Sequence, residues 1–381
     1  MGGALSRMLR EKSPNAALET PLPARRHQTG KTKGIQTMNK HIRDILERFV
    51  LPQGEIEAVP FGNGHINDTL RVTVHAPYGE RQFVLQHVNQ YVFKKPVEVI
   101  ENIEKVTAYL SSVVRAEGGD PARGTLTLIA AKDGRHYVIA EDGELWRMYL
   151  LVDGTMSIDL PDTPEHFRLC GSAFGRFQQQ LGGFDASMLH ETIVDFHNTP
   201  ARYAQLEDAI ARNEAGRLDG VGEEIAFCRA RESEVHTLTD ALEKGEIPLR
   251  VTHNDTKINN VLLDKQTGEG VCVVDLDTVM PGLAAYDFGD AIRAGAGTAE
   301  EDERDSSKMT LNLNMFRAFA EGFLAECGAA LGEREKELLP MGAKLMALEC
   351  GMRFLADHLN GDKYFKVHRE NQNLDRARTQ F

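Results

Sequence analysis

The stretch VTHNDTKINNVLLD, followed after a short insert by VCVVDLD, sets His253, Asp255, Lys257, Asn260 and Asp275 in one polar series. A carboxylate, a lysine two residues on, an amide and a distal carboxylate are the parts that phosphoryl transfer requires. That reaction needs a hydroxyl held in line with a γ-phosphate and charge neutralised on the phosphate oxygens, with little covalent help from the protein. In this scheme Asp255 accepts the hydroxyl proton and Lys257 reaches the transferring phosphate. Asn260 and Asp275 supply an amide oxygen and a carboxylate to Mg²⁺, a hard cation that takes oxygen ligands and keeps several waters. His253 is assigned to holding the loop backbone. The plainer alternative is a chance HxD string in a loop; five polar positions, two apolar runs and a turn agree against it.

The elements that must position these residues are legible nearby. The runs VLLD and VCVVD, separated by KQTGEG, predict a β-hairpin that brings Asp275 back beside Asn260. Asp277 falls on the same face of an extended strand as Asp275, as a carboxylate behind the metal ligands or as a substrate contact. Asp287, Phe288 and Gly289 spell a DFG string, but it opens the helical pattern DFGDAIRAG. An Asp at a helix start is read as a cap or as an anchor for the catalytic loop, which leaves Asp275 as the main metal ligand.

Upstream, EIEAVPFGNGHINDTLRVTV reads as strand, turn and strand, and RQFVLQHV as a third strand. The segment PVEVIENIEKVTAYLSSVVRAEG places Pro96 at a helix start, with Val97, Ile100, Ile103, Val106, Leu110 and Val113 at helical spacing. TLTLIA with HYVIAED, then LWRMYLLV, complete a small sheet. In the first turn Gly62 and Gly64 give room for backbone N–H groups to face phosphates, with Asn63, His65 and Asn67 as phosphate or sugar neighbours. MYLLVDGT ends the sheet, so the backbone of Tyr149, Leu150 and Leu151 is the expected hinge and adenine contact. The remainder is mostly helical. The division expected is an extension at 1–37, an N-terminal lobe at 38–152 and a C-terminal lobe at 153–381.

Composition narrows the classes. A chain of 381 residues can bury a large core. A net charge of -13 without a basic stripe argues against nucleic acid, and no apolar run approaches the ~20 residues of a bilayer span. The five cysteines, at 170, 228, 272, 327 and 350, form no CxxC pair and suit reduced thiols in a cytoplasmic protein, expected to be a monomer. Residues 1–37 carry seven Lys or Arg against Glu11 and Glu19, a composition expected to be disordered. MGGALS fits a loose myristoylation pattern and the basic character a transit peptide, while a true start at Met38 is the simpler account.

Together with FVLQHVNQYVF, WRMYLLVDGT, DFHNTPARY, YDFGD, MRFLADHLNGDKYF and NLDRARTQF, these strings resemble the aminoglycoside phosphotransferase superfamily, and within it the N-acetylhexosamine 1-kinases. The resemblance covers nearly all the chain from about residue 40. It implies an α+β, bilobed protein-kinase-like fold using ATP and Mg²⁺ to phosphorylate the anomeric hydroxyl of GlcNAc or GalNAc. It also implies Asp255 as base, Asn260 and Asp275 as metal ligands, and Arg353, Tyr364, His197 and Asn198 as sugar contacts. For Arg353 the alternative is an ion pair with Asp357 one helical turn on. One departure stands out: Gln86 occupies the strand position where a kinase presents its phosphate-binding lysine, with Lys94 or Lys95 as possible replacements. Two other functions share these residues: transfer to another alcohol such as an aminoglycoside, choline or another sugar, and a nucleotide- or sugar-binding pseudokinase.

Overall fold

Polar and apolar residues alternating along DTLRVTVHA and GERQFVLQH make strands with one buried face, and a sheet grows around them. A computed structural model describes residues 40–62 and 67–381. The N-terminal extension 1–37 and loop residues Asn63, Gly64 and His65 lie outside the described residues. After helix α1 (Lys40–Leu46) come β1 (Glu55–Pro60), β2 (Asp68–Ala76) and β3 (Gly79–His87). Helices α2 (Pro96–Ala116) and α3 (Pro121–Gly124) precede β4 (Val138–Ile139) and β5 (Leu145–Leu150). The strands form one antiparallel sheet of order β1-β2-β3-β5-β4. TLTLIA, expected as a strand, forms no strand of the sheet but lies along β5, with an isolated bridge from Leu128 to Tyr149, a bond from the Ile129 N–H to the Met148 carbonyl and one from the Leu150 N–H to the Thr127 carbonyl.

Helix α2 buries Val99, Ile100, Ile103, Val106, Leu110 and Val114. Its last apolar contact is Val114 rather than the expected Val113, because a helix returns to the same face four residues after Leu110. Asn102, also buried, donates to the carbonyls of His190 and Val279 and accepts from the His190 N–H. That amide fixes α2 to the chain beyond the sheet.

The rest is mainly helical. The short strand β6 (Thr155–Met156) leads to α4 (Pro164–Gln180), α5 (Thr199–Arg212), α6 (Gly222–Arg229) and α7 (Thr237–Glu243). The expected single helical stretch at 222–245 is thus broken, a 3₁₀ turn at Glu232–Glu234 separating its halves. Then follow β7 (Arg250–Thr252), the hairpin of β8 (Val261–Asp264) and β9 (Gly270–Val273), β10 (Met280–Gly282) and α8 (Ala284–Gly295). Helices α9 (Leu313–Cys327), α10 (Glu333–Leu359) and α11 (Gln372–Gln380) complete the chain.

One apolar core runs from Ile100 and Tyr149 through Phe174 and Phe288 to Phe319, Leu345 and Leu355. Within it α8 and α10 touch backbone to backbone. A Cβ at Gly289 would lie 2.4 Å from the Gly342 carbonyl oxygen, and one at Gly342 would lie 2.2 Å from that of Ala285. Only glycine permits this close approach of α8, which carries Asp287 and Asp290, to α10, which carries Glu349 and Arg353. The result is an α+β, kinase-like architecture: a β-rich N-terminal part on a larger helical one. Among the described residues no helix is long and apolar enough to cross a membrane.

Candidate active site

The chain from His253 to Asn260 crosses from β7 to β8 and is held by three layers of hydrogen bonds. The buried Asp287 carboxylate accepts from the backbone N–H groups of His253 at 3.0 Å and Asn254 at 2.8 Å, and from the Gln178 amide at 2.7 Å. Asp290 accepts from the Thr256 N–H, while the Thr256 hydroxyl donates to the Asp287 carbonyl. His253 donates from Nε2 to the Val274 carbonyl and accepts at Nδ1 from the Asp255 N–H, so both ring nitrogens serve backbone. Helix α8 starts at Ala284, not at Asp287, and Leu283 is its cap residue. Asp287 therefore lies inside the first turn, with its side chain directed to the loop. Asn254, φ 64°, is left-handed, a conformation that persists only where its surroundings impose it.

On this support Asp255 and Lys257 form an ion pair, Nζ to Oδ1 at 2.8 Å. The Asp255 carboxylate holds the lysine above its ordinary pKa, and the ammonium stays protonated through the neutral range. Asn260 donates its amide hydrogens toward the Asp255 carbonyl, at 2.8 Å, and carboxylate, at 3.3 Å. Its side-chain oxygen accepts no hydrogen bond from a described residue.

The β8–β9 hairpin pairs Val261 with Val273, and the Val274 N–H donates to the Asn260 carbonyl at 2.9 Å. Asp275 follows directly. The chain there is not the extended strand expected: β9 ends at Val273, Asp275 is left-handed with φ 59°, and Leu276–Thr278 is a 3₁₀ turn. Asp275 and Asp277 therefore do not share a strand face. Among the described residues no hydrogen bond reaches the Asp275 carboxylate. The residue is exposed to solvent, between the buried Leu276 and Asp277 and the hairpin behind it. Partial withdrawal from solvent, with the nearby Asp277 and Asp255 charges, pushes it up to about 6. A carboxylate and an amide oxygen, both without protein donors and joined by adjacent backbone, fit a hard divalent cation.

Asp277 is buried and turned toward the sheet. Oδ2 accepts from Asn67 at 2.7 Å and Oδ1 pairs with Arg147. Arg147 is wholly buried, and its Nε and Nη2 donate to the Gln86 oxygen at 3.1 and 2.9 Å. Gln86 in turn donates to the Thr69 hydroxyl. Neither Lys94 nor Lys95 takes part: Lys94 lies over the Tyr91 ring and Lys95 pairs with Glu98. Gly62, φ 79°, opens the first turn. At the expected hinge the N–H groups of Leu150 and Leu151 donate to the carbonyls of Thr127 and Gln82. The buried Tyr149 hydroxyl has no hydrogen-bond partner among the described residues.

The other flank of the loop carries the residues matched to a sugar. His197 bridges Glu349 of α10, at 2.9 Å, to the Asn254 carbonyl, at 3.1 Å. Burial disfavours the imidazolium, but the Glu349 carboxylate, with the Asp290 charge and the Asn254 carbonyl, outweighs it and raises the His197 pKa. Asn198 caps α5, accepting from the Ala201 N–H and donating to Asp195. Both residues use their polar groups on protein. Arg353 does not pair with Asp357, whose oxygens accept from the N–H groups of Lys363, Tyr364 and Phe365 and from Asn373. The Arg353 guanidinium lies 5.4 Å from the centroid of the Phe196 ring and 5.5 Å from that of Phe365. Arg202 stands nearby, its pKa lowered by burial and by the Arg353 charge. Tyr364, 60% exposed, meets Phe365 edge-on.

Sequence reasoning did not single out Asn254, Asp290, Gln178, Glu349, Arg202 or Arg147. Only Arg147 left a local signal, as one charge inside the apolar run LWRMYLL.

Comparison with known proteins bears on the fold and the family. Three solved structures share the fold. A microcompartment-associated aminopropanol kinase is 17% identical, over 88% of this chain and 92% of that one, at a TM-score of 0.59. A Plasmodium vivax ethanolamine kinase is 12% identical, over 84% and 80%, at 0.50. An aminoglycoside 2'-phosphotransferase solved as its GDP complex is 12% identical, over 87% and 92%, at 0.50. The profile of the "Phosphotransferase enzyme family" matches residues 57–321. The chain belongs to that family, and the protein is a phosphotransferase with a kinase-like fold.

Proposed function

We propose that this phosphotransferase uses ATP and Mg²⁺ to phosphorylate the anomeric hydroxyl of a free N-acetylhexosamine, GlcNAc or GalNAc, to the 1-phosphate. Asp255 is the base that takes the hydroxyl proton, oriented by Lys257 on one oxygen and Asn260 on the other. The Lys257 ammonium also places positive charge where the transferring phosphate arrives. Asn260 and Asp275 would hold Mg²⁺, which supplies charge neutralisation on the phosphate oxygens. The loop after β1, with Gly62, Asn63, Gly64 and His65, together with Gln86 and the Tyr149–Leu151 hinge, forms the nucleotide side. The lobe boundary falls after Val152.

One observation carries the acceptor assignment: Arg353, paired with no carboxylate among the described residues and close to two aromatic rings, with Arg202 beside it. The structurally related aminopropanol, ethanolamine and aminoglycoside enzymes are named for amine-bearing acceptors. Two guanidiniums repel an ammonium group, and Glu349 close by is committed to His197 and Thr199. A neutral polyol suits this flank: Arg353 and Tyr364 donate to its hydroxyls while the rings cover its apolar face. A site that bonds substrate hydroxyls discriminates sharply against acceptors lacking them.

The test is ³¹P NMR of the product formed from ATP, Mg²⁺ and GlcNAc or GalNAc. Coupling of phosphorus to the anomeric proton establishes the 1-phosphate. Turnover of choline or an aminoglycoside without sugar phosphate would reassign the acceptor. Nucleotide binding without any product would identify a pseudokinase.

A further inference from the structure

In protein kinases the strand that here carries Gln86 presents a lysine, held by an ion pair to a glutamate on the following helix. Neither half of that pair is present here. Gln86 is uncharged, and the α2 glutamates are engaged elsewhere: Glu98 with Lys95, Glu101 with His190 and Glu104 with His136.

The missing charge lies one strand away. Register aligns Thr69 with Gln86 on β2 and β3, and Gln86 with Arg147 on β3 and β5. Directly paired residues of an antiparallel sheet project to the same face. The three side chains form a continuous ladder across the sheet, the Thr69 hydroxyl to the Gln86 amide and the Gln86 oxygen to the Arg147 guanidinium. The ladder ends on Asp277, two residues past Asp275. Asn67, at the end of the loop after β1, holds the second Asp277 oxygen.

We propose that Arg147 is a positioning residue that supplies, from β5, the electrostatic function of the absent lysine: it fastens the nucleotide-binding sheet to the metal-binding turn through Asp277. This inference rests on the nucleotide and metal assignment above. Three carboxylates, Asp255, Asp275 and Asp277, converge on this turn, and Arg147 is a buried cation on its sheet side. Asn102, bonded to the Val279 carbonyl, steadies the far end of the same turn. Gln86 keeps the guanidinium aimed by accepting from two of its nitrogens. A lysine at position 86 beside Arg147 would set two cations face to face.

Binding of Mg²⁺ with a non-hydrolysable ATP analogue, measured by calorimetry on proteins whose folding is checked by circular dichroism, tests this without reference to the acceptor. Removing one member of a buried charge pair should weaken the affinity of Arg147→Gln about 30-fold or more, with acceptor KM nearly unchanged. The swapped variant Gln86→Lys/Arg147→Gln returns a cation to the same face and should recover most of the loss; Arg147→Lys should lie between wild type and Arg147→Gln. Should Arg147→Gln fail to fold, the swapped variant must restore both folding and binding. A folded Arg147→Gln that binds within about threefold of wild type overturns the proposal, that being a small fraction of a buried charge pair. So does a swapped variant no better than Arg147→Gln. Wild-type protein that binds the nucleotide but makes no sugar phosphate removes the acceptor assignment and leaves this inference standing.

Discussion

Asp287→Asn isolates the support of the catalytic loop from its chemistry. The buried carboxylate takes three N–H donors, two from the backbone of His253 and Asn254 and one from Gln178. An asparagine fits the space but replaces one oxygen with an NH₂ group. In its best orientation the remaining oxygen faces His253 and Gln178, and the new NH₂ meets the Asn254 N–H donor to donor. Two buried donors then lack partners at ~1–3 kcal/mol each, and the other two bonds lose their charge assistance, for a total of about 4 kcal/mol. Against a total stability of roughly 5–15 kcal/mol the variant should fold but melt well below wild type. Asn254, released from its left-handed conformation, would let Asp255 drift, and a displacement of about 1 Å costs on the order of 10²-fold in rate. Thermal denaturation and steady-state kinetics on the same preparation supply both numbers. Gln178→Met, which leaves the two backbone contacts intact, should cost about half as much stability and little rate. Asp287→Asn with unchanged kcat would refute the loop-setting role, whatever its melting temperature.

Asp255→Asn should lower kcat by about 10²- to 10⁴-fold, the range of a positioned base, while calorimetry still finds nucleotide binding. Arg353→Glu should raise the KM for the sugar and leave that for ATP unchanged; improved turnover of amino alcohols by this variant would support repulsion as the filter, and an unchanged sugar KM would remove Arg353 from the acceptor site. Asp275, pushed up to about 6, must lose its proton before it can bind a cation, so Mg²⁺ affinity should fall as pH drops below that value and hold above it. The same shift has a stability sign: the folded state binds the proton more tightly than the unfolded chain, so the apo protein loses stability as pH rises from the ordinary carboxylate range through about 6. Asp275→Asn should remove that decline in melting scans across pH, and a decline that survives would place the titration elsewhere.

Local patterns were the legible part of this chain. The spacing of Asp255, Lys257 and Asn260 is a property of one loop, and the β8–β9 hairpin of two adjacent apolar runs, so both are visible within a few residues. The stripe on α2 is equally local: its middle, Ile100 to Leu110, is as expected, and only its ends differ, with Val99 and Val114 buried in place of Val97 and Val113. What escaped depends on partners far apart in sequence. The His197–Glu349 pair joins two segments across most of the helical region, and nothing around either residue announces the other. Asp277 looked like a neighbour of Asp275 because an extended strand would put both on one face, yet the left-handed backbone at Asp275 sends Asp277 to the sheet instead. Positive φ at a non-glycine residue follows from what surrounds it, and spacing carries no trace of it.

Gln86 marks the place where matching by position and reasoning from physics diverge. Matched strand by strand, the chain lacks a cation at a position where kinases use one, and loss of activity would be the ready conclusion. Electrostatics depends on where charge lies in space, and a sheet offers several positions on one face within reach of the same point. The cross-strand register makes Arg147 the partner of Gln86, and a buried arginine in an apolar strand requires an anion and hydrogen-bond acceptors to offset its desolvation. Asp277 and Gln86 meet that requirement together. The glutamine is therefore not a vacancy left by lysine but the acceptor that a buried arginine needs, and the two residues form one functional unit distributed over two strands.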